Sequence, residues 1–306
     1  MVKKIITAIV ILLLLAACKA SSDKAPVAKT SAKDIPTYKI GYMICNSEHE
    51  TMQRFIPFSK YVGDKMGVKF ETIPIDTINF TREIDQLDFT HTNSLLYIIL
   101  NRYHGVDVLA AEQKGSLGFK SQGIILARKD SGMSQVSDLK GKTMIFGPML
   151  APTGFMAQVD VMLQNGIDPE QDLAMYTIPG GSFKHEKVIY GVMFGKFDAG
   201  SIPIDDLETM DADNRVDMED FVILGKNEPI PYCNFGVPQK TDEALARKFK
   251  EVVLDITPED TVEMNGEVIK VLDRALVQGY VDIKDGDFDI VREMAKRTNM
   301  PPYQKY

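Results

Sequence analysis

Residues 138–169 read DLKGKTMIFGPMLAPTGFMAQVDVMLQNGIDP, and the order of elements in this stretch decides the fold. A short apolar run, 143–146, enters a loop containing Gly147, Pro148 and Pro152. At Thr153 and Gly154 the loop opens into a helical pattern. Phe155, Val159, Met162 and Leu163 recur at i, i+4, i+7 and i+8, the spacing of one helix face. Gly166 follows as a stop signal. Strand, loop and helix N-terminus therefore point at one place. Helix N-termini carry unpaired N–H groups and partial positive charge, which makes them anion sites. The same residues also suit a plain capped turn.

The alternation extends outward in both directions. Strand-like runs fall at 37–44, 68–75, 87–91, 106–111, 123–129, 174–178, 197–202, 221–225 and 234–237, with helical patterns between them. Leu245, Phe249, Val252 and Val253 form one such face, after Thr241 as N-cap with Asp242 and Glu243 in the first turn. This alternation predicts an α/β protein with mostly parallel sheets. Beyond about residue 240 the pattern reads as helical only. A discontinuous first lobe is expected over 36–127 and 233–306, with a second lobe over 128–232. The 16 methionines fall mostly at helical core spacing and read as packing filler.

The N-terminus reads as a processing signal. Lys3 and Lys4 precede an apolar run, 5–15, too short to span a bilayer comfortably. Leu15-Ala16-Ala17-Cys18 then resembles the bacterial lipobox. Residues 1–17 are expected to be a lipoprotein signal peptide, with Cys18 lipidated and anchoring the chain on the extracytoplasmic side of a bacterial membrane. Residues 18–35 are rich in Ala, Ser, Lys and Pro. They have too little apolar surface to offset ordering and read as a tether. The chain carries a net charge of −8 and no basic stripe, which argues against nucleic acid. Besides Cys18 there are only Cys45 and Cys233, with no CxxC pair. A disulfide and two buried free thiols are both open readings.

Further motifs occur in a fixed order: IGYMI at 40–44, FIPF at 55–58, LDFTHTNSLLY at 87–97, SDLKGKTMIFG at 137–147, PTGF at 152–155, NGIDPEQD at 165–172, HEKVIYGVMFGKFDAG at 185–200 and EPIP at 228–231. In that order they resemble the phosphate/phosphite/phosphonate-type (PhnD-like) solute-binding proteins of ABC importers. The resemblance implies a two-lobed type II periplasmic-binding fold: two mixed sheets flanked by helices, two crossover strands, and a ligand cleft between the lobes. It implies a small anionic ligand, an ABC permease as partner, a monomer, no cofactor and no catalysis.

Carried over residue by residue, the resemblance marks Thr153, Gly154 and Phe155 as the anion-cradling turn. Ala151 and Pro152 stand where the family has hydroxyls. His185 matches the family's His before the next helix, as a hydrogen-bond donor that carries charge at mildly acid pH. Asp205 matches a later carboxylate, with Asp206 as its solvated alternative. In the first lobe Thr92 or Asn93 opens a helix, and Asn46 and Ser47 follow the first strand beside Cys45. Ser182 is a further expected cap. Where some relatives carry a second acidic residue, this chain has Cys233 and Asn234, which counts against an aminoalkylphosphonate. Three other readings are carried: a sensor of the same fold signalling to a receptor kinase; metal capture by His49, Glu50, His91, His185 and Asp205; and an enzyme built on Ser182 or the GSLG at 115–118, for which no G-x-S-x-G elbow exists.

Overall fold

The structure, a computed structural model, describes residues 35–179 and 185–305. The signal, Cys18 and Ser182 lie outside the described residues. Strands run in the order β1 (Thr37–Met43), β2 (Lys69–Ile75), β3 (Phe89–Thr92), β4 (Val106–Gln113), β5 (Lys120–Ser121), β6 (Gly123–Arg128), β7 (Thr143–Ile145), β8 (Met175–Thr177), β9 (Ala199–Pro203), β10 (Phe221–Lys226), β11 (Ile230–Pro231), β12 (Asn234–Pro238), β13 (Thr261–Met264), β14 (Glu267–Lys270) and β15 (Gly279–Asp282).

They form two mixed sheets. The larger has the order β15-β4-β12-β3-β1-β2 and the smaller β10-β6-β9-β7-β8. β1 runs parallel to β2 and β3, whereas β12 is antiparallel to both β3 and β4. β7 is parallel to β8 and β9, and β6 is antiparallel to β9 and β10. The chain crosses between sheets twice, through β5 and β11, which pair antiparallel with each other. The expected two-lobed α/β architecture with two crossovers is what the chain adopts.

Three expectations differ from the result. The sheets are not mostly parallel: the pairings of β12 with β3 and β4, of β15 with β4, and of β6 with β9 and β10 are antiparallel. β6 hydrogen-bonds in the smaller sheet, so the first crossing precedes Gly123 rather than following residue 127. The segment after 240 is not purely helical. Asn265 and Gly266, at φ 53 and 81, turn β13 into β14, because a two-residue Asn-Gly turn at positive φ matches strand twist. β15 then adds an antiparallel edge to the larger sheet.

Helix Glu48–Met66 buries Phe55, Phe58, Tyr61 and Val62. Phe58 stacks on Phe235 of β12 at 5.2 Å, and Phe89 of β3 stacks on Phe249 at 4.1 Å. Aromatic burial of this kind dominates core energetics. In the smaller sheet β6 sends Ile124 and Leu126 to one core and Ile125 and Ala127 to another, the two-residue period of a strand covered on both faces. A further cluster ties the halves together. Helix Asp289–Arg297 sets Val291 and Met294 in one cluster with Leu95 and Ile98 of helix Ser94–His104 and with Met156 and Ala157. Arg297 closes this junction, with Nε and Nη2 on the Asp160 carboxylate at 2.6 and 2.9 Å. Asp160 is buried, and Arg297 is half in water. All these clusters lie within 35–306, the chain's compact unit.

Removing Arg297 leaves a buried carboxylate without its cation. Arg297→Ala is expected to destabilise the chain by about 2–3 kcal/mol, below the range for a fully buried pair because water reaches the guanidinium. Urea melts read this directly, and a loss under about 0.5 kcal/mol would mean the junction does not depend on the pair.

Candidate functional site

The ends of β1, β4 and β7 meet the second crossing at Tyr232 and Cys233. Two adjoining cavities of about 280 and 220 Å3 lie there, and both touch Cys45, Tyr232 and His185. The first is mainly apolar, walled by Met43, Ile44, Ile78, Met149 and Leu150. The second is polar and contains Arg54, His91, Glu112, Lys114, Asp206 and Arg215. A larger groove of about 760 Å3 opens to solvent elsewhere, between helix Glu48–Met66 and β14. His185 lines both of the paired cavities and is absent from this groove.

His185 opens helix Glu186–Met193. Its Nδ1 lies 2.7 Å from Asp206 Oδ2, which holds a proton on Nδ1. Its Nε2 is buried and has no hydrogen-bond partner among the described residues. The ring lies over two glycines. A Cβ on Gly147 or Gly154 would come within 2.7 or 2.4 Å of Nε2, distances no real Cβ tolerates. Burial alone would raise the Asp206 carboxyl, but the His185 hydrogen bond and charge, with help from Lys114, hold it below the usual range.

The expected cradle takes a different form. Pro152–Met156 is a π-helical turn, with the Ala157 N–H on the Pro152 carbonyl. Ala151 occupies the cap position and offers no side-chain acceptor. Thr153 is therefore inside the turn rather than its N-cap. It is buried and lines the apolar cavity. The N–H groups of Gly154 and Phe155 both donate to Ala151 O, at 3.3 and 3.0 Å, so these donors are already engaged. The Phe155 ring packs on Phe146 at 5.0 Å and lines neither cavity.

Asn93, not Thr92, caps helix Ser94–His104. Its Oδ1 accepts from Leu96 N at 2.8 Å, and its Nδ2 donates to Leu150 O at 3.0 Å. It lines the apolar cavity and stitches one sheet's helix to the other sheet's loop. Thr92 is buried behind it with Oγ1 unpartnered and lines neither cavity. Ser47 caps helix Glu48–Met66, accepting from Glu50 N at 3.1 Å, and is exposed. Asn46 reaches the polar cavity and donates to Glu50 Oε1 at 2.7 Å.

Asp205 is displaced from its expected role. It lies against Gly115 of the first crossing and in neither cavity, while Asp206 takes the cleft position. On a helix, neighbouring residues point about 100° apart, so a one-residue offset changes the face. Burial pushes the Asp205 carboxyl up to about 6, with Asp206 and Glu208 adding to the rise against Lys114. The expected metal ligands do not converge: His49 is exposed, and neither it nor Asp205 lines a cavity.

Sequence reasoning missed Lys114, Arg54, Glu112 and Tyr232. Glu112 is buried and pairs with His91 at 2.8 Å. Burial raises its carboxyl, but His91, then Arg54 and Lys114, hold it lower overall. The signal for Lys114 was present in AAEQKG at 110–115, where a charged residue ends a buried strand beside a glycine.

Two outcomes follow from this geometry. Gly154→Ala is expected to displace the His185 imidazole, seen as shifts of its ring resonances by NMR; unchanged resonances would contradict the close approach. For Asp205 the folded pKa exceeds the unfolded one. Its stabilising contribution is therefore complete below about pH 4 and lost as pH rises through about 6. Asp205→Asn should gain about 1–2 kcal/mol on the wild type across that window, a range discounted for partial exposure. Parallel melts at pH 4 and 7 measure it, and equal differences at both would remove Asp205 as the cause.

Comparison with known proteins bears on the fold and the family. The family model described as ABC transporter, phosphonate, periplasmic substrate-binding protein matches residues 40–288. PhnD1 of Prochlorococcus marinus, solved with methylphosphonate, superposes with a TM-score of 0.71 at 16% identity, covering 86% of this chain and 98% of that one. A Xanthomonas citri protein solved with ATP superposes at 0.69 and 18% identity, over 86% and 97%. The tetrathionate sensor histidine kinase TtrS of Salmonella typhimurium is 25% identical over 218 residues, 69% of this chain. The chain spans 36% of that relative's length. With a match over most of its length, the chain belongs to the phosphonate-type periplasmic substrate-binding proteins of ABC transporters.

Proposed function

We propose that the chain captures a small organic oxyanion, of the phosphonate type or close to it, between two lobes and presents it to an ABC permease. The lobes correspond to the two sheets, joined at β5 and β11, and ligand closure would bend there. Cys18 carries the lipid that holds the protein, as a monomer, on the extracytoplasmic face. No helix among the described residues is long and apolar enough to cross a membrane. The reading assigns no catalytic step.

The observation that carries it is His185, which lines both cavities and whose Nε2 is buried without a hydrogen-bond partner among the described residues. An orphaned buried nitrogen costs free energy unless a ligand completes it. Because Asp206 holds the Nδ1 proton, Nε2 meets an oxyanion only with a second proton between them, supplied by the ring or by the ligand. Lys114 and Arg54 contribute positive charge nearby. Thr153, Asn93 and the Gly147–Gly154 approach shape the pocket, and Asn46 sits on its polar rim. Thr92, Ser47, Phe155 and Asp205 support these elements from behind. The apolar wall of about 280 Å3, near the lower bound of ligand pockets, favours an anion with an apolar part over bare phosphate.

A second reading is a sensor: the same capture, delivered to a membrane receptor kinase. It is favoured by the 25% likeness to part of a sensor histidine kinase.

A thermal-shift panel tests the binding reading, using phosphate, phosphite, methylphosphonate, aminoethylphosphonate, sulfonates, thiosulfate and tetrathionate. A ligand at roughly 100 times its Kd adds about 2.7 kcal/mol. One of these anions should shift the melt, and the shift should vanish in His185→Ala. Calorimetry in buffers of different ionisation enthalpy reads the coupled proton. A shift that survives His185→Ala with no proton uptake would sink the assignment. Radiolabelled fatty acid incorporation, abolished in Cys18→Ser, checks the anchor.

A further inference from the structure

Cys45 and Cys233 come from opposite ends of the chain and line the same polar cavity. Cys45 follows β1 and borders the apolar cavity too, so it faces both halves of the cleft. Cys233 is buried behind it, on the second crossing. Both are free thiols lining one cavity, and the Cys45 Sγ lies 3.8 Å from the Met43 carbonyl oxygen. The neighbouring Cys233 lowers the Cys45 thiol, with Arg54 and Lys114 adding to the effect against burial and Glu112. The Cys233 thiol is raised correspondingly. A structural pair of buried thiols needs neither the open face of Cys45 nor two cations beside it. A thiolate is the form that attacks sulfur, and cations beside it favour that form.

We propose that this pair is a thiol-reactive site inside the ligand cleft, for anions carrying an electrophilic S–S bond, such as organic S-sulfonates. The inference rests on the anion-binding reading and narrows its ligand class. Cys45 is the nucleophile, because it alone borders both cavities, and Cys233 is the resolving thiol. The Cys45 thiolate attacks the sulfenyl sulfur of R–S–SO3−. A Cys45–S–S–R bond forms, the S–SO3 bond breaks, and sulfite leaves with the electron pair. The Cys233 thiol then loses its proton and attacks Cys45 Sγ. The protein disulfide forms, R–S− leaves, and the proton from Cys233 ends on it as R–SH. Two protein thiols are oxidised and one S-sulfonate is reduced to a thiol and sulfite, once per chain. Arg54 and Lys114 suit the sulfonate and the departing sulfite. The disulfide would tie the loop after β1 to the second crossing, so it would also restrain the segment about which the sheets turn.

The test uses the chain from Lys19 onward, which keeps the whole compact unit and excludes Cys18. It is reduced, desalted and mixed with S-sulfocysteine; glutathione disulfide serves as a control whose leaving group is a thiolate rather than sulfite. The expected result is one equivalent of sulfite, loss of both free thiols, and a mass lower by two hydrogens. Cys233→Ser should still release sulfite but stop at a cysteine adduct on Cys45. Cys45→Ser should release none above the buffer blank. Lys114→Gln should slow the S-sulfonate reaction by a larger factor than the glutathione disulfide reaction. Reaction at Cys233 in Cys45→Ser as fast as at Cys45 in Cys233→Ser would overturn the proposal, as would wild-type thiols reacting no faster than in the urea-unfolded chain. The two readings fail separately. If a panel anion still shifts the melt of the Cys45→Ser/Cys233→Ser double variant but the wild type does not react, binding stands and the thiol site falls.

Discussion

The chain has to pass between its two sheets twice, and each passage exposes backbone that neither sheet can pair. β5 and β11 solve this by pairing with each other, Ser121 with Ile230 and Lys120 with Pro231. Asn227 completes the join: its Oδ1 accepts from Gly123 N at 2.7 Å, and its backbone oxygen accepts from Gln122 Nε2 at 2.6 Å. Buried backbone groups left unpaired would cost comparable hydrogen-bond free energy. This ribbon also fixes where the site lies. Lys114, Tyr232 and Cys233 are on or next to the crossings, and the ends of β1 and β7 reach them from either side. A short ladder between larger cores is also where two sheets turn most cheaply, so the pocket and the bending point coincide.

Electrostatics inside the cleft run opposite to the chain as a whole. The net charge is −8, yet the two carboxylates that enter the cleft most deeply are engaged: Glu112 with His91 and Asp206 with His185. Arg215 is held by Glu186 at 3.1 Å. Arg54 instead donates both its Nε and Nη2 hydrogens to the Ala275 carbonyl, a neutral acceptor, while Glu112 acts on its charge from nearby. Arg54 and Lys114 are the cations that line this polar cavity beside Arg215. A low-dielectric wall on the apolar side makes each of them count for more than it would in water.

Much of the scaffold was legible because period and punctuation agree along the chain. The run at 143–146 became β7, and Phe249 and Val253 marked the buried face of helix Glu243–Leu254. The β13–β14 hairpin was missed although Asn265-Gly266 is a strong turn signal; its strands are mostly exposed, so no apolar alternation drew attention to them. The site was harder. Periodicity locates elements but not which residue of a helix start faces inward, hence Asp205 for Asp206, and hence the cap left open between Thr92 and Asn93. The pairing of Cys45 with Cys233 joins segments nearly two hundred residues apart and depends on β1 and β12 having β3 between them in the sheet. No local pattern encodes that.

The loss of hydroxyls at Ala151 and Pro152 has a physical counterpart in the place taken by His185. A cradle of free backbone N–H groups needs a turn whose first donors point outward. Here the donors of Gly154 and Phe155 bend back to Ala151 O, and the Gly154 carbonyl is held by Gly147 N and Ser201 Oγ at 2.9 and 2.6 Å. The turn is closed on itself and presents little but a smooth, side-chain-free surface. An imidazole fits over that surface only because both Gly147 and Gly154 lack a Cβ. The turn therefore carries an imidazole, oriented by Asp206 at 2.7 Å, where free backbone N–H groups would otherwise stand.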